Sequence, residues 1–375
     1  MQKKLIALAV AALASGAVLA QSNVTVYGTV DVGYTNRGDA TMVGNFNSPG
    51  STNQINSGQS DVSKIGFTGV EDLGNGNKVL FVLEAGFHAD DGTINDQLFS
   101  EQAFLGLTGN WGTAIAGRLV APRHGFLASI DPFGAGTVGQ YRNVYNDGFG
   151  YGAAAWDPDR VDNAVAYVSP SFGGFNVTAA YATNAIGPES PGNDFDFKTF
   201  ALLPRYTNGP LDVGFSYQRI KNDEVAIVGS ALAGDDAKLT ALTLGGTYDF
   251  KVVKLGAFYD QTKLKSSGLA DTVKHKVWQL GVSVPFGKNA IQASYTQSKF
   301  SNALDNGKAK QWAVGYTYAL SKRTNFYAAY SDINNDDGRL ASVDDASNGS
   351  KLIDANGDLI GAYERGIQFG LKHTF

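Results

Sequence analysis

From Asn23 to the last residue, apolar and polar side chains alternate one for one in segment after segment. "NVTVYGTVDVGY" sets Val24, Val26, Val30 and Val32 against Thr25, Tyr27, Thr29 and Asp31. "VWQLGVSVPF" separates Trp278, Leu280, Val282 and Val284 from Val277, Gln279, Gly281 and Ser283. "QWAVGYTYAL" puts Trp312, Val314, Tyr316 and Tyr318 opposite Ala313, Gly315 and Thr317. A period of two is a β-strand whose faces meet different surroundings, and helical spacing is nearly absent. Sixteen such segments are readable, near 23–35, 62–70, 77–88, 98–108, 112–118, 160–168, 174–183, 196–206, 211–221, 238–249, 252–263, 274–285, 289–299, 309–319, 323–332 and 362–375.

The connections between them alternate as well. Seven are short and turn-like: "EDLGNG", "GNWG", "SPSFGG", "TNGP", "YDFK", "PFGKN" and "ALSKR". Eight are longer and polar, near 36–61, 89–97, 119–159, 184–195, 222–237, 264–273, 300–308 and 333–361. Tight turns at one end and long loops at the other are expected of a transmembrane β-barrel. Closing the sheet leaves no backbone edge in lipid. The expected fold is therefore all-β: a 16-stranded antiparallel transmembrane barrel with a water-filled interior. Aromatics cluster near strand ends, as in "YTYAL", "FYAAY" and "YERGIQF", where interfacial girdles belong.

The rest of the sequence agrees. Lys3 and Lys4, the run "LIALAVAALASGAVLA" and small residues Val18 and Ala20 before Gln21 make residues 1–20 a secretory signal peptide, leaving 21–375 as the barrel domain. Beyond it no stretch reaches the roughly 18 apolar residues of a membrane helix. Glycine is abundant (46 residues) and proline sparse (10), with 17 Tyr and 22 Phe, which suits an all-β chain. Removing Lys3 and Lys4 from the 30 basic residues leaves 28 against 35 acidic ones, so a nucleic-acid footprint is absent. There is no cysteine, hence no disulfide framework and no thiolate metal site. The four histidines, His88, His124, His275 and His373, have no ligand spacing. No cofactor and no metal are expected.

The chain resembles the general porins of beta-proteobacteria, the group that includes the neisserial type. "NVTVYGTVDVGY" resembles that family's first strand, and "SKIGFTGVEDLGNGNKVLFVLEAGF", the most specific match, resembles its second hairpin. "LFSEQAFLGLTGNWGTAIAGR", "RVDNAVAYVSPSFGGF" and the ending "GLKHTF" continue the likeness along the mature chain. The resemblance implies a homotrimer in outer-membrane lipid and lipopolysaccharide. It implies a third extracellular loop, here 119–159, folded inward as a constriction. It also implies that Phe375 is a terminal aromatic read by the barrel-assembly machinery. The implied function is passive, weakly charge-selective diffusion of ions and small hydrophilic solutes. The alternative is a substrate-specific channel for a sugar or small anion, which a greasy slide of inward aromatics or a dense Arg/Lys ladder would favour.

Candidate pore residues follow from side counting. Lys64 falls inward if Ile65 and Phe67 point out, Arg118 if Ile115 points out, and Arg160 if Val161, Val165 and Tyr167 point out. These three make an expected basic wall. In the loop, Asp131 is expected to face the passage and Phe133 to pack against the barrel, with Gly134 permitting the bend. Asp147, Asp157 and Asp159 are further acidic candidates, and Arg123 and Arg142 are basic ones. Acid on the loop facing base on the wall would set a transverse field. Glu84 and Glu101 are possible acidic lining, and Glu101 and Ala166 stand where the resembled family commonly has basic residues. Weak anion preference, weak cation preference and neutrality all remain compatible with these residues.

Other motifs carry less. Gly134, Gly136 and Gly139 spell G-x-G-x-x-G, but neither a buried strand nor a helix flanks them as a dinucleotide site requires. "DANGDLIGAYE" (354–364) begins like a calcium loop but has Leu359 at position 6 and Arg365 at position 12. No catalytic spacing such as G-x-S-x-G occurs, and no enzymatic activity is expected.

Overall fold

The computed structural model describes residues 23–42, 50–95, 97–145, 158–187, 189, 196–225, 234–266, 272–301, 307–336, 339–343, 351–353 and 359–375. Sixteen of its strands run the length of the wall: β1 (Asn23–Met42), β3 (Lys64–Gly74), β4 (Asn77–Gly86), β5 (Gln102–Gly109), β6 (Gly112–Val120), β7 (Arg160–Val168), β8 (Phe175–Ala182), β9 (Lys198–Asn208), β10 (Leu211–Val225), β11 (Gly234–Asp249), β12 (Lys254–Lys265), β13 (Val273–Phe286), β14 (Asn289–Ser301), β15 (Lys308–Ala319), β16 (Thr324–Asn335) and β18 (Leu359–Thr374). β2 (Thr52–Ser57) and β17 (Lys351–Ile353) are short. Two helices, α1 (Pro122–Ile130) and α2 (Arg142–Tyr145), lie between β6 and β7.

Every long strand pairs antiparallel with its sequence neighbour, and β1 closes the ring. It meets β3 from Asn23 to Thr29 and β18 from Thr29 to Met42. Every segment of alternation found in the sequence is one of these sixteen strands, and the barrel closes as expected. At the closing seam Phe375 exchanges backbone hydrogen bonds with Gly28, at 3.2 and 3.1 Å. Its ring covers the place where a Gly28 Cβ would stand.

Alternation sets the two surfaces. Val24, Val26, Leu105, Leu244, Leu280, Trp312, Val314, Ile367 and Phe369 are exposed on the outside, a band of apolar side chains that water would not stabilise and lipid does. The opposite positions, such as Asp31, Ser216, Gln218, Asp260, Gln279, Gln311 and Gln368, are buried and polar, and closure makes theirs the inner face. An apolar inner stretch also exists: Leu119, Val161, Ile220, Leu239, Leu264 and Val273 form a buried cluster at the long-loop end.

Three boundaries differ from the sequence reading. β1 runs on to Met42, and β2 lies in the expected loop 36–61. β10 and β11 pair out to Val225 and Gly234, inside the expected loop 222–237. In the first case the extension is held by polar side chains: Asn36 donates to the side-chain Oδ1 of Asn53 at 3.0 Å and Arg37 to the side-chain Oε1 of Gln54 at 2.6 Å. Here the residues on both faces are mostly polar, so the apolar–polar alternation that marks a strand is lost. β5 begins at Gln102 rather than near 98, which leaves Glu101 in the turn just before it.

Candidate functional site

The segment after β6 begins with α1. Pro122 sits in its first turn, where a missing N–H costs nothing. The helix stops at Asp131 because Pro132 disfavours helical geometry in the residue before it. The chain then bends sharply, with positive φ at Gly134 (65°), Ala135 (59°) and Thr137 (61°).

Asp131 brackets this bend. Its carboxylate accepts from the Ala135 N–H at 3.0 Å, the Tyr141 N–H at 3.4 Å and the Gln279 side-chain amide on β13 at 3.0 Å. Burial pushes the Asp131 carboxyl up to about 6, with these hydrogen bonds pulling the other way. The expectation that Asp131 faces the passage is therefore corrected: the side chain is buried and turned into its own loop. The physical reason is the set of N–H groups that the bend aims at one point.

The segment rests on inner-face glycines. A Cβ would lie 2.9 Å from Phe126 at Gly214, 2.7 Å from Ile130 at Gly245, 2.6 Å from Pro132 at Gly281 and 2.7 Å from Phe133 at Gly315. The chain thus crosses β10, β11, β13 and β15 at distances that only glycine admits. Phe133 packs here, against the apolar cluster of Val138, Val144, Ala309 and Ile333. Glutamines hold the same path. Gln311 donates to the carbonyls of Gly139 and Gln140, both at 3.0 Å, and accepts from Asn143 at 2.8 Å. Gln368 accepts from the Val138 N–H at 3.0 Å, and the Thr137 N–H donates to the Gln59 carbonyl at 2.6 Å.

Arg123 on α1 does not line an opening. It is buried against Asp260 on β12, donating from Nη2 to both carboxylate oxygens at 2.8 Å and to Thr262 at 2.9 Å. Its guanidinium also stacks over the Tyr145 ring at 5.1 Å. Arg142 is spent on Asp159, at 2.6 Å, with His124 3.4 Å from the same carboxylate. Burial pushes the Asp159 carboxyl up, but Arg142, His124 and Arg160 outweigh it and hold it below the usual range. Asp147 and Asp157 lie outside the described residues.

Charge collects on the arc formed by β3 to β7. Lys64 is on the inner face and lies 3.7 Å from Glu84 of β4. Glu84 also accepts from the Tyr27 hydroxyl at 2.9 Å and the Gln102 amide at 2.7 Å. Arg160 pairs with Glu101, whose N–H donates to the Glu84 carbonyl at 3.2 Å. Each wall base thus has a wall acid beside it. Of the loop acids expected to face this wall, Asp131 is turned into its own loop and Asp159 pairs with Arg142 next to Arg160, while Asp147 and Asp157 lie outside the described residues.

Two side assignments change. Ile115 lies opposite Gly106 and packs with the inner apolar cluster, so it points inward. Arg118 stands opposite Ala103, next to the outward Leu105, and pairs outside with Asp162. Val161 is buried inside rather than facing out, although Val165 and Tyr167 are exposed as expected, so the count that put Arg160 inward fails; Arg160 belongs to the inner group through its electrostatic contact with Lys64 and Glu84. Positive φ at Gly117 (139°) and Asn163 (49°) accompanies a register shift between β6 and β7, which breaks the two-residue count. Asp260, Gln279, Gln311 and Gln368, none of them a candidate site residue from the sequence, are buried polar residues at inner strand positions.

Known proteins fit this arrangement. A family model described as Gram-negative porin matches residues 7–338. Outer membrane porin protein 32 of Delftia acidovorans is 32% identical over all of both chains. An outer membrane porin of Bordetella pertussis is 33% identical, covering 88% of this chain and 93% of its own. Among solved structures, an anion-selective porin from Comamonas acidovorans superposes with a TM-score of 0.74 at 28% identity, covering 95% of this chain and 100% of that one. A closed sixteen-stranded wall with a lipid-compatible exterior, matched along nearly its whole length, places the chain in the outer membrane as a member of the Gram-negative porin family.

Proposed function

We propose that the protein is a general-diffusion porin, passing ions and small hydrophilic solutes down their gradients with weak charge selectivity. The observation that carries this reading is the polar inner face of a closed barrel with one segment, within 119–159, docked along part of it. In this reading that segment narrows the opening, and the free arc bearing Lys64, Glu84, Glu101 and Arg160 faces the solutes. Phe133 and Gly134 shape the segment rather than contact solute. Asp131, Arg123 and Arg142 hold it in place. Residues 1–20 are the export signal, and Phe375 at the seam is the assembly signal. Three barrels associate through their outer faces, with lipopolysaccharide around them.

Reconstitution of the protein in a planar bilayer tests the reading. Large ohmic steps that candidate sugars and phosphate leave unchanged are the expected result. Saturable block by one such solute would move the assignment to a substrate-specific channel. Absence of conductance would overturn the reading.

A further inference from the structure

The arc from β3 to β7 carries two close acid–base pairs among the described residues, and one acid decides their balance. Lys64 lies beside Glu84 and Arg160 beside Glu101, and each of the two bases is within electrostatic reach of both acids. The outer members of the group are matched too, Arg142 with Asp159 and Lys372 with Asp61. An ion in the water of the pore responds to the net charge of such a group more than to its members. The field of a lone charge falls off more slowly with distance than that of a paired one, and salt screens both.

We propose that Glu101 is the specificity-determining residue of this pore, its carboxylate cancelling Arg160 and so holding the wall near electrical neutrality. The inference rests on the pore reading above. Glu84 is less suited to the role. Tyr27 and Gln102 hold both its oxygens, and it is the more deeply buried acid (3% exposed against 6%). Arg160 keeps 19% of its side-chain surface exposed, so a loss of its partner is felt in the water. Glu101 stands in the turn before β5, where its removal leaves the strand ladder from Gln102 onward intact.

The test is reversal potential across a bilayer in a tenfold KCl gradient, with the full-length protein and three variants. Glu101→Gln is expected to raise the chloride-to-potassium permeability ratio about sixfold, since a unit charge ~8 Å from the ion path in water shifts the two ions by about 2.4-fold each in opposite directions. Arg160→Gln is expected to lower it by a similar factor. The double variant is expected to return to the wild-type ratio, and raising the salt to 1 M to shrink both single shifts. Glu71→Gln, exposed near the β3–β4 turn, is the control for losing an acid elsewhere and is expected to leave the ratio unchanged. Glu101→Gln channels with the wild-type ratio, or single variants that shift in the same direction, would overturn the proposal while leaving the pore reading intact. Wild-type protein without channels would instead overturn the pore reading. If Glu101→Gln does not assemble, Arg160→Gln decides: no shift toward potassium in that variant rejects the proposal.

Discussion

The inner wall has two arcs built to different ends. From β10 to β18, inward glycines and glutamines and the buried Asp260 meet a folded segment that lies against them. From β3 to β7 they carry paired charges at the boundary with water. The first arc gives up side chains so that a second layer of backbone can lie against it. The second keeps its side chains, which pair with one another across neighbouring strands. In the proposed reading, one arc would set the shape of the opening and the other its charge.

Breaking the docking arc gives the largest expected effect. Arg123→Ala leaves Asp260 buried without its bidentate partner, a loss of about 3–5 kcal/mol. Thermal unfolding of detergent-solubilised protein should show a lower midpoint, and bilayer recordings larger, noisier openings. An unchanged midpoint would mean that α1 is not anchored through this pair.

Asp131 gives the next effect, and it depends on pH. Its ordinary value is 3.8 and its folded value about 6, so the folded state binds the proton more tightly. Its contribution is therefore fully present below about pH 4 and is lost as pH rises through 6, to a total on the order of 3 kcal/mol. Unfolding midpoints of wild type and Asp131→Asn, followed from pH 5 to 7.5, should diverge, with the wild type losing more stability as pH rises. Parallel curves would show that the carboxyl is better hydrated than its burial implies.

A smaller effect is expected from Gly315→Val. A Cβ there would lie 2.7 Å from Phe133, and crowding of this size costs about 1–3 kcal/mol. The same substitution at Gly50, which has open space around its Cβ position, is the steric contrast, although its φ of 73° adds strain of its own. Equal conductance in wild type and Gly315→Val would say that the segment shifts without narrowing anything. The smallest effect is at Arg118. Because it pairs with Asp162 on the outside, Arg118→Gln should leave the reversal potential unchanged. A shift there would return Arg118 to the lumen and redraw the charged arc.

Much of the fold could be read in advance for a local reason. Each strand declares its sides through nearest neighbours, so Val24 against Thr25, or Trp312 against Ala313, is enough to count strands and assign faces. Side counting puts Lys64 on the inner face, and β3 is regular around it, with Ile65 outside. The same counting fails at Arg118, because Gly117 and Asn163 break it with positive φ, and nothing in "AGRL" or "RVDNAV" announces which residue will do so. The glycines of "DPFGAGTVG" were legible as a bend. Their individual reasons were not: Gly134 takes a positive φ, a Cβ at Gly136 would meet the Ser60 carbonyl oxygen, and one at Gly139 would meet the Phe133 ring.

By itself, then, the sequence determined the sixteen strands, the apolar outer band and the closed wall, since these follow from alternation and from the cost of unpaired backbone in lipid. Tertiary structure alone decided which charges meet. Glu101 and Arg160 are 59 residues apart, and Arg123 and Asp260 are 137 apart. Their pairing depends on barrel closure and on the path of the docked segment, and no local pattern encodes either.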